Sequence, residues 1–376
     1  MDDLNQNPKL GSADRPNSYI GRSVPRERAK KLLEGKGKYV DDILLPRMVH
    51  LSYVRSPLAH AKIKSINTEN AKKIPGVLNV FTIDDIEKVC SPWQGVLGHL
   101  GEMRSPTQYP LAKDVVRWQG EPVAVVVANK RAVAEDALEL VEIDYEDLDA
   151  QLDMETAMDK STKVIHDDLG NNLFWTRTVN QGDVIEAFKQ SHIVEEVTLD
   201  FARHTGVTLE TRAIVADWDS SEERMTIYHN GQAPHMMQSI IAKHLNISEG
   251  LVRIISCDVG GSFGIKVHVY PDEMVTVAVS KLLKRPVKFV ADRLESYSTD
   301  IHSRCHKISG KIGVDDKGKI LAFEIDDLSG IGPFSVYPRT SAIETNQVLN
   351  LSAASYVVPN YKAKGTVVFQ NKTPMC

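Results

Sequence analysis

Residues 258–266 read Asp-Val-Gly-Gly-Ser-Phe-Gly-Ile-Lys, with glycines at 260, 261 and 264. An apolar run from Leu251 to Ser256 reads as a strand before them, and Asp272 to Leu283 reads as a helix after them. Glycines at a strand-to-helix turn let backbone N–H groups approach and face a ligand, because no Cβ intervenes. The familiar phosphate loops are excluded. Walker A needs Gly-x-x-x-x-Gly-Lys-Ser/Thr, whereas Gly264 precedes Ile265, Lys266 and Val267. The dinucleotide fingerprint Gly-x-Gly-x-x-Gly is not met either. Taken alone, the turn could equally be a packing device.

Short strands and helices alternate over the first part of the chain. Strands are expected at Met48 to Arg55, Val77 to Thr82, Pro122 to Ala128 and Leu140 to Tyr145, with a helix at Lys130 to Glu139. Such a unit should hold a core of its own. Residues 149–172 are polar and read as a connection. Further on, Arg212 to Trp218 and Arg224 to Tyr228 flank a turn at 219–222, predicting a hairpin. Pro234 opens a helix with Met236, Met237, Ile240, Ile241 and Leu245 on one face. A second hairpin is expected from His306 to Val314 and Lys319 to Leu328, and Tyr361 to Phe369 is strand-like. The division is therefore 1–18, a flexible tail; 19–150, an α/β unit; 151–173, a linker; and 174–376, a second domain. The fold class is α/β (α+β).

With 376 residues, 42% of them apolar, the chain can bury two or three cores. A net charge of −5, with acids and bases interleaved, gives no nucleic-acid stripe or membrane patch. No apolar run approaches the ~20 residues of a membrane helix, and residues 1–17 do not form a secretory signal. Cys90, Cys257, Cys305 and Cys376 are scattered, which argues against an iron–sulfur or zinc site and fits reduced thiols in the cytoplasm. His302, Cys305 and His306 are metal-ligating types, but in a strand Cys305 would point away from the other two.

The glycine turn and its flanks, Gln232-Ala-Pro-His235 and Val267-His-Val-Tyr-Pro271, resemble the front half of the molybdenum-hydroxylase large subunit. That family comprises xanthine dehydrogenase, aldehyde oxidase and aerobic carbon-monoxide dehydrogenase. Its loop usually reads Gly-Gly-Gly-Phe-Gly-x-Lys, and here Ser262 replaces a glycine, a change that either crowds the backbone or adds a hydroxyl near the cofactor. Gly35-Lys-Gly-Lys-Tyr-Val-Asp-Asp42, Arg55-Ser-Pro-Leu-Ala-His-Ala61 and Gly120-Glu-Pro-Val-Ala124 resemble the family's hammerhead domain. The resemblance implies an N-terminal α/β hammerhead domain followed by the first molybdopterin-binding domain, truncated relative to the family.

By the same resemblance, Gly260, Gly261, Ser262, Phe263 and Gly264 bind the molybdenum cofactor (molybdopterin, in its cytosine dinucleotide form). Gln232 and the backbone of Phe263, 31 positions apart as in the family, would contact oxygen ligands of molybdenum. A glutamine can donate there without adding charge. The ring of Phe263 reads as core filler. Lys266 either neutralises a cofactor oxygen or is solvated, and His204 and Glu210 either lie near the cofactor or include a Glu210–Arg212 pair. Purine-oxidising members carry glutamate where Val267 stands, so the resemblance leans toward the carbon-monoxide branch. The general-base glutamate is expected beyond Cys376, leaving no catalytic base to assign.

The expected activity is oxidation of an aldehyde, heterocycle or carbon monoxide with water as oxygen source. It would need a second chain carrying the other half, an iron–sulfur subunit and an FAD subunit. A non-catalytic cofactor-binding or assembly protein, or an inactive fragment, is the other reading.

Overall fold

The computed structural model describes residues 19, 23–26 and 29–376, so the tail expected at 1–18 lies outside the described residues. The chain divides into two compact units, 1–38 and 39–376. In the first, Ala29–Leu33 is a short helix, followed by Gly35 with a φ of 69°.

The second unit is built on a seven-stranded sheet. Its order is Val252–Ser256, Arg224–His229, Ala213–Asp219, Val287–Val290, Val49–Arg55, Pro122–Ala128 and Val77–Phe81. All seven residues of Pro122–Ala128 are buried, as its unbroken apolar run requires. Ala213–Asp219 and Arg224–His229 form the expected antiparallel hairpin, and Arg224–His229 pairs in parallel with Val252–Ser256. The Pro234–Leu245 helix makes that crossover and buries Met237, Ile240, Ile241 and Leu245. Val49–Arg55 pairs in parallel with Val287–Val290, which joins segments far apart in sequence in one sheet.

A five-stranded sheet carries the second hairpin, His306–Val314 and Ile320–Ile331, with Asn360–Phe369 beside it. The strand expected at Leu140 to Tyr145 begins two residues later, as Glu142–Asp147, in a three-stranded sheet with Ala61–Asn67 and Val115–Val116.

The core expected for the first α/β unit alone is largely shared. Two small clusters belong to it, but the largest runs from Val49, Tyr53 and Phe81 through to Ile214, Val277 and Phe289. The polar stretch around 149–172 is also packed down. Asn172 is buried, donates to the carbonyls of Ala157 and Lys163, and accepts from the N–H of Ile165. The N–H of Gln151 donates to Asn371 at 2.8 Å. Side chains in this polar connection thus serve as partners of backbone groups.

Arg212, fully buried, ties these layers together. Its guanidinium grips both oxygens of Asp272 at 2.6 and 3.0 Å, donates to Asp300 at 2.7 Å and to Thr299 at 2.9 Å, and lies 3.7 Å over the Tyr270 ring. Arg55 adds contacts to Asp272 at 3.0 Å and Glu295 at 2.9 Å. Burial alone would raise the Asp272 carboxyl, but Arg212 and Arg55 overcome it and hold it below the usual range. Replacing one partner of a buried ionic cluster costs ~3–5 kcal/mol, because the remaining charges stay desolvated. Arg212→Met should lower stability by about that amount in urea unfolding.

A second buried carboxylate sets a pH dependence. Glu121 accepts from the N–H of Arg117 at 2.6 Å, and burial pushes its carboxyl up to about 8. A carboxyl raised in the folded state holds its proton more tightly than in the unfolded chain, so folding weakens as pH rises from about 4.5 to about 8. Glu121→Gln should flatten the stability profile over that window and give the more stable protein at its upper end, read from unfolding midpoints across pH.

Candidate cofactor site

Two parallel neighbours, Arg224–His229 and Val252–Ser256, end on the same side of the sheet. Gln232 follows the first and the 258–264 turn follows the second, so residues thirty positions apart meet beyond the strands' carboxyl ends. Open α/β sheets present ligand sites at such places. The N–H of Gln232 donates to the carbonyl of Lys266 at 2.9 Å. The hydroxyl of Ser262 donates to Oε1 of Gln232 and accepts from the N–H of Lys266 at 3.2 Å. The change from the family's glycine therefore supplies a hydroxyl that holds the glutamine.

Each glycine of the turn has its own cause. Gly261 and Gly264 take φ values of 101° and 94°, a region that side chains rarely occupy. At Gly260 space decides, since a Cβ would stand 2.5 Å from the Cβ of Glu210. Phe263 is left-handed too, at 51°, and the residue is 78% exposed, so it is not the core filler expected. The turn faces open surface. A cavity of about 440 Å³ nearby is lined by Pro234, His235, Gln238 and Ser256, but not by Gln232 or the turn.

One amide expected to face a ligand does not. The N–H of Gly260 donates to Oε2 of Glu210 at 2.7 Å. The N–H groups of Gly261, Ser262, Phe263 and Gly264 meet no acceptor among the described residues, and neither does Nε2 of Gln232. Successive free amides in a turn with left-handed residues form a concavity for anions.

Lys266 is neither solvated nor turned to a ligand. It is buried, and its Nζ lies 3.0 Å from Oε2 of Glu210. Burial lowers the ammonium from its ordinary range, while Glu210 opposes that shift. The Glu210–Arg212 pair considered from the sequence is not formed. Arg212 binds Asp272 and Asp300, and Glu210 binds Lys266 and Gly260. Nothing in the spacing of 210, 260 and 266 marked them as one cluster. His204 pairs through its backbone with Ser303. His306 is hydrogen-bonded to Asp327 at 2.8 Å, and Cys305 lies 3.7 Å from Gln370. Among the described residues no group of three or more His, Cys, Asp or Glu is placed to hold a metal ion.

The donor set suits an oxygen-rich, electron-rich group. It offers Nε2 of Gln232 and four amides, and the adjacent carboxylate, Glu210, is already paired with Lys266.

The family model described as the molybdopterin cofactor-binding domain matches residues 165–376. That of the aldehyde oxidase and xanthine dehydrogenase a/b hammerhead domain matches residues 34–149. The chain belongs to the molybdenum hydroxylase family. It is 35% identical to the nicotine 6-hydroxylase large subunit of Paenarthrobacter nicotinovorans, over 98% of this chain and 45% of that one. It is 31% identical to the carbon monoxide dehydrogenase large chain of Hydrogenophaga pseudoflava, over 93% of this chain and 45% of the relative. Quinoline 2-oxidoreductase from Pseudomonas putida 86 superposes with a TM-score of 0.89 at 31% identity, over 95% of this chain and 45% of that structure. The chain thus spans about half the length of these relatives. By contrast, it covers 79% of the nicotinate dehydrogenase large molybdopterin subunit of Eubacterium barkeri, at 28% identity.

If space alone demands glycine at 260, Gly260→Ala must push Glu210 and the turn apart. Overpacking of this kind costs ~1–3 kcal/mol. The loss should appear in urea unfolding, with faster amide exchange at Ile265 and Lys266, whose N–H groups are bonded within the turn.

Proposed function

We propose that this chain is the front half of a molybdenum-cofactor hydroxylase whose substrate is a nitrogen heterocycle, with an aldehyde or carbon monoxide as other members of the panel. The observation that carries the reading is the meeting of Gln232 with the 260–264 turn at the ends of two parallel strands, with donors that meet no acceptor among the described residues. When bound, the cofactor supplies a two-electron acceptor for hydroxylation of a carbon centre: R–H and water give R–OH, two protons and two electrons. The protein supplies binding and orientation. Gln232 donates from Nε2, and the amides of Gly261 to Gly264 meet anionic or oxo-type oxygens. Phe263 contributes its backbone, and the paired Glu210 and Lys266 keep net charge away from that face.

Val267 gives an apolar side chain where the purine-oxidising branch places a carboxylate, which disfavours a substrate needing an acceptor there. The relatives named for nicotine and quinoline support a heterocycle. The remaining half of the site, with its general base, belongs to a second chain in this reading. The relative of comparable length named as a large molybdopterin subunit supports such an arrangement. Partners carrying iron–sulfur clusters and FAD, the cytosine dinucleotide form of the cofactor and a cytoplasmic location complete the proposal. Among the described residues no helix is long and apolar enough to cross a membrane.

Co-expression with the polypeptide encoded beside it tests this. Molybdenum should be retained only by the complex, and dye-linked turnover should appear with N-heterocycles and not with purines. Molybdenum held by the lone chain would contradict the half-site reading. A loaded complex inert across heterocycles, aldehydes, purines and carbon monoxide would favour a binding or assembly role.

A further inference from the structure

The hydroxyl of Ser262 meets two groups at once, accepting from the N–H of Lys266 at 3.2 Å and donating to Oε1 of Gln232. A hydroxyl has a single proton to give. If the carboxamide of Gln232 were turned over, its two N–H donors would face an oxygen that already accepts from Lys266. The hydroxyl proton would then lose the acceptor it has in Oε1. The backbone of Gln232 is itself pinned to the carbonyl of Lys266, so the two ends of the contact cannot drift apart independently.

We infer that Ser262 is a positioning residue that selects one face of the Gln232 carboxamide, carbonyl inward and N–H outward. The site then presents a donor at this point and accepts only a ligand atom that is an acceptor, of oxo or carbonyl type. A hydroxyl or amine presenting its proton is disfavoured. A glycine at 262 has no such hydroxyl and leaves the choice to whatever ligand is bound. The inference rests on the cofactor reading for the identity of that ligand, but not for the orientation of Gln232.

The test uses the whole chain labelled with [15N-side-chain] glutamine, the Gln232 amide pair being assigned by its loss in Gln232→Glu. Ser262 is absent from the residues with left-handed backbone, so exchanging its side chain adds no strain of that kind. Ser262→Ala and Ser262→Gly should both shift the Gln232 pair, whereas Ser262→Thr, which keeps the hydroxyl, should restore the native position. A pair unmoved in Ser262→Ala, or moved equally by Ser262→Thr, overturns the inference. Molybdenum content of the co-expressed complex separates the two claims. A responsive amide pair in a chain that never acquires molybdenum supports the positioning role and defeats the cofactor reading. A loaded complex whose amide pair ignores Ser262 does the reverse.

Discussion

The structure depends on a guanidinium held in the dark. Arg212 stands at the head of strand Ala213–Asp219, and its partners come from the first turn of the Pro271–Leu283 helix and from the end of the Arg293–Thr299 helix. Arg55, from the strand Val49–Arg55 two places along the same sheet, reaches the same Asp272. Desolvating these charges is costly, and only good geometry with several simultaneous hydrogen bonds offsets it. That requirement specifies where each element begins. Two residues before Arg212 lies Glu210, which binds Gly260 and Lys266, so the ionic core also fixes the wall against which the glycine turn rests.

From that wall the site follows by geometry. Parallel strands release their chains on the same side, and a Pro-started helix after each return path keeps the connections short. The turn can be tight because glycines occupy the places where a Cβ would collide or the backbone is left-handed. Its tightness leaves a run of amides with no acceptor among the described residues, and such a donor run is what an electron-rich ligand needs. The exposure of Phe263 is a consequence of the same backbone twist.

Most elements were legible from periodicity. Pro122–Ala128, the two hairpins and the helices at Pro234 and Pro271 fall within a few residues of their expected bounds, because apolar spacing and turn residues are local signals. The meeting of Gln232 with the turn was legible through resemblance alone. What escaped were non-local pairings among polar residues. Sequence gives no reason why Lys266 should bind Glu210 while Arg212 turns to Asp272 and Asp300, since burial and direction decide between equally charged candidates. The packing of the polar stretch before Phe174 escaped for the same reason. The carboxamide of Asn172 meets three backbone groups there, those of Ala157, Lys163 and Ile165. The shared core escaped because parallel pairing of Val49 with Val287 leaves no local trace.

The central claim is that the amides of Gly261 to Gly264 bind a cofactor oxygen together with Gln232. Hydrogen–deuterium exchange on the peptide covering 258–267, compared between the lone chain and a molybdenum-loaded complex, addresses it most directly. The account predicts rapid exchange of these four amides in the lone chain and marked slowing in the loaded complex. Rapid exchange in both states, with molybdenum present, would contradict it.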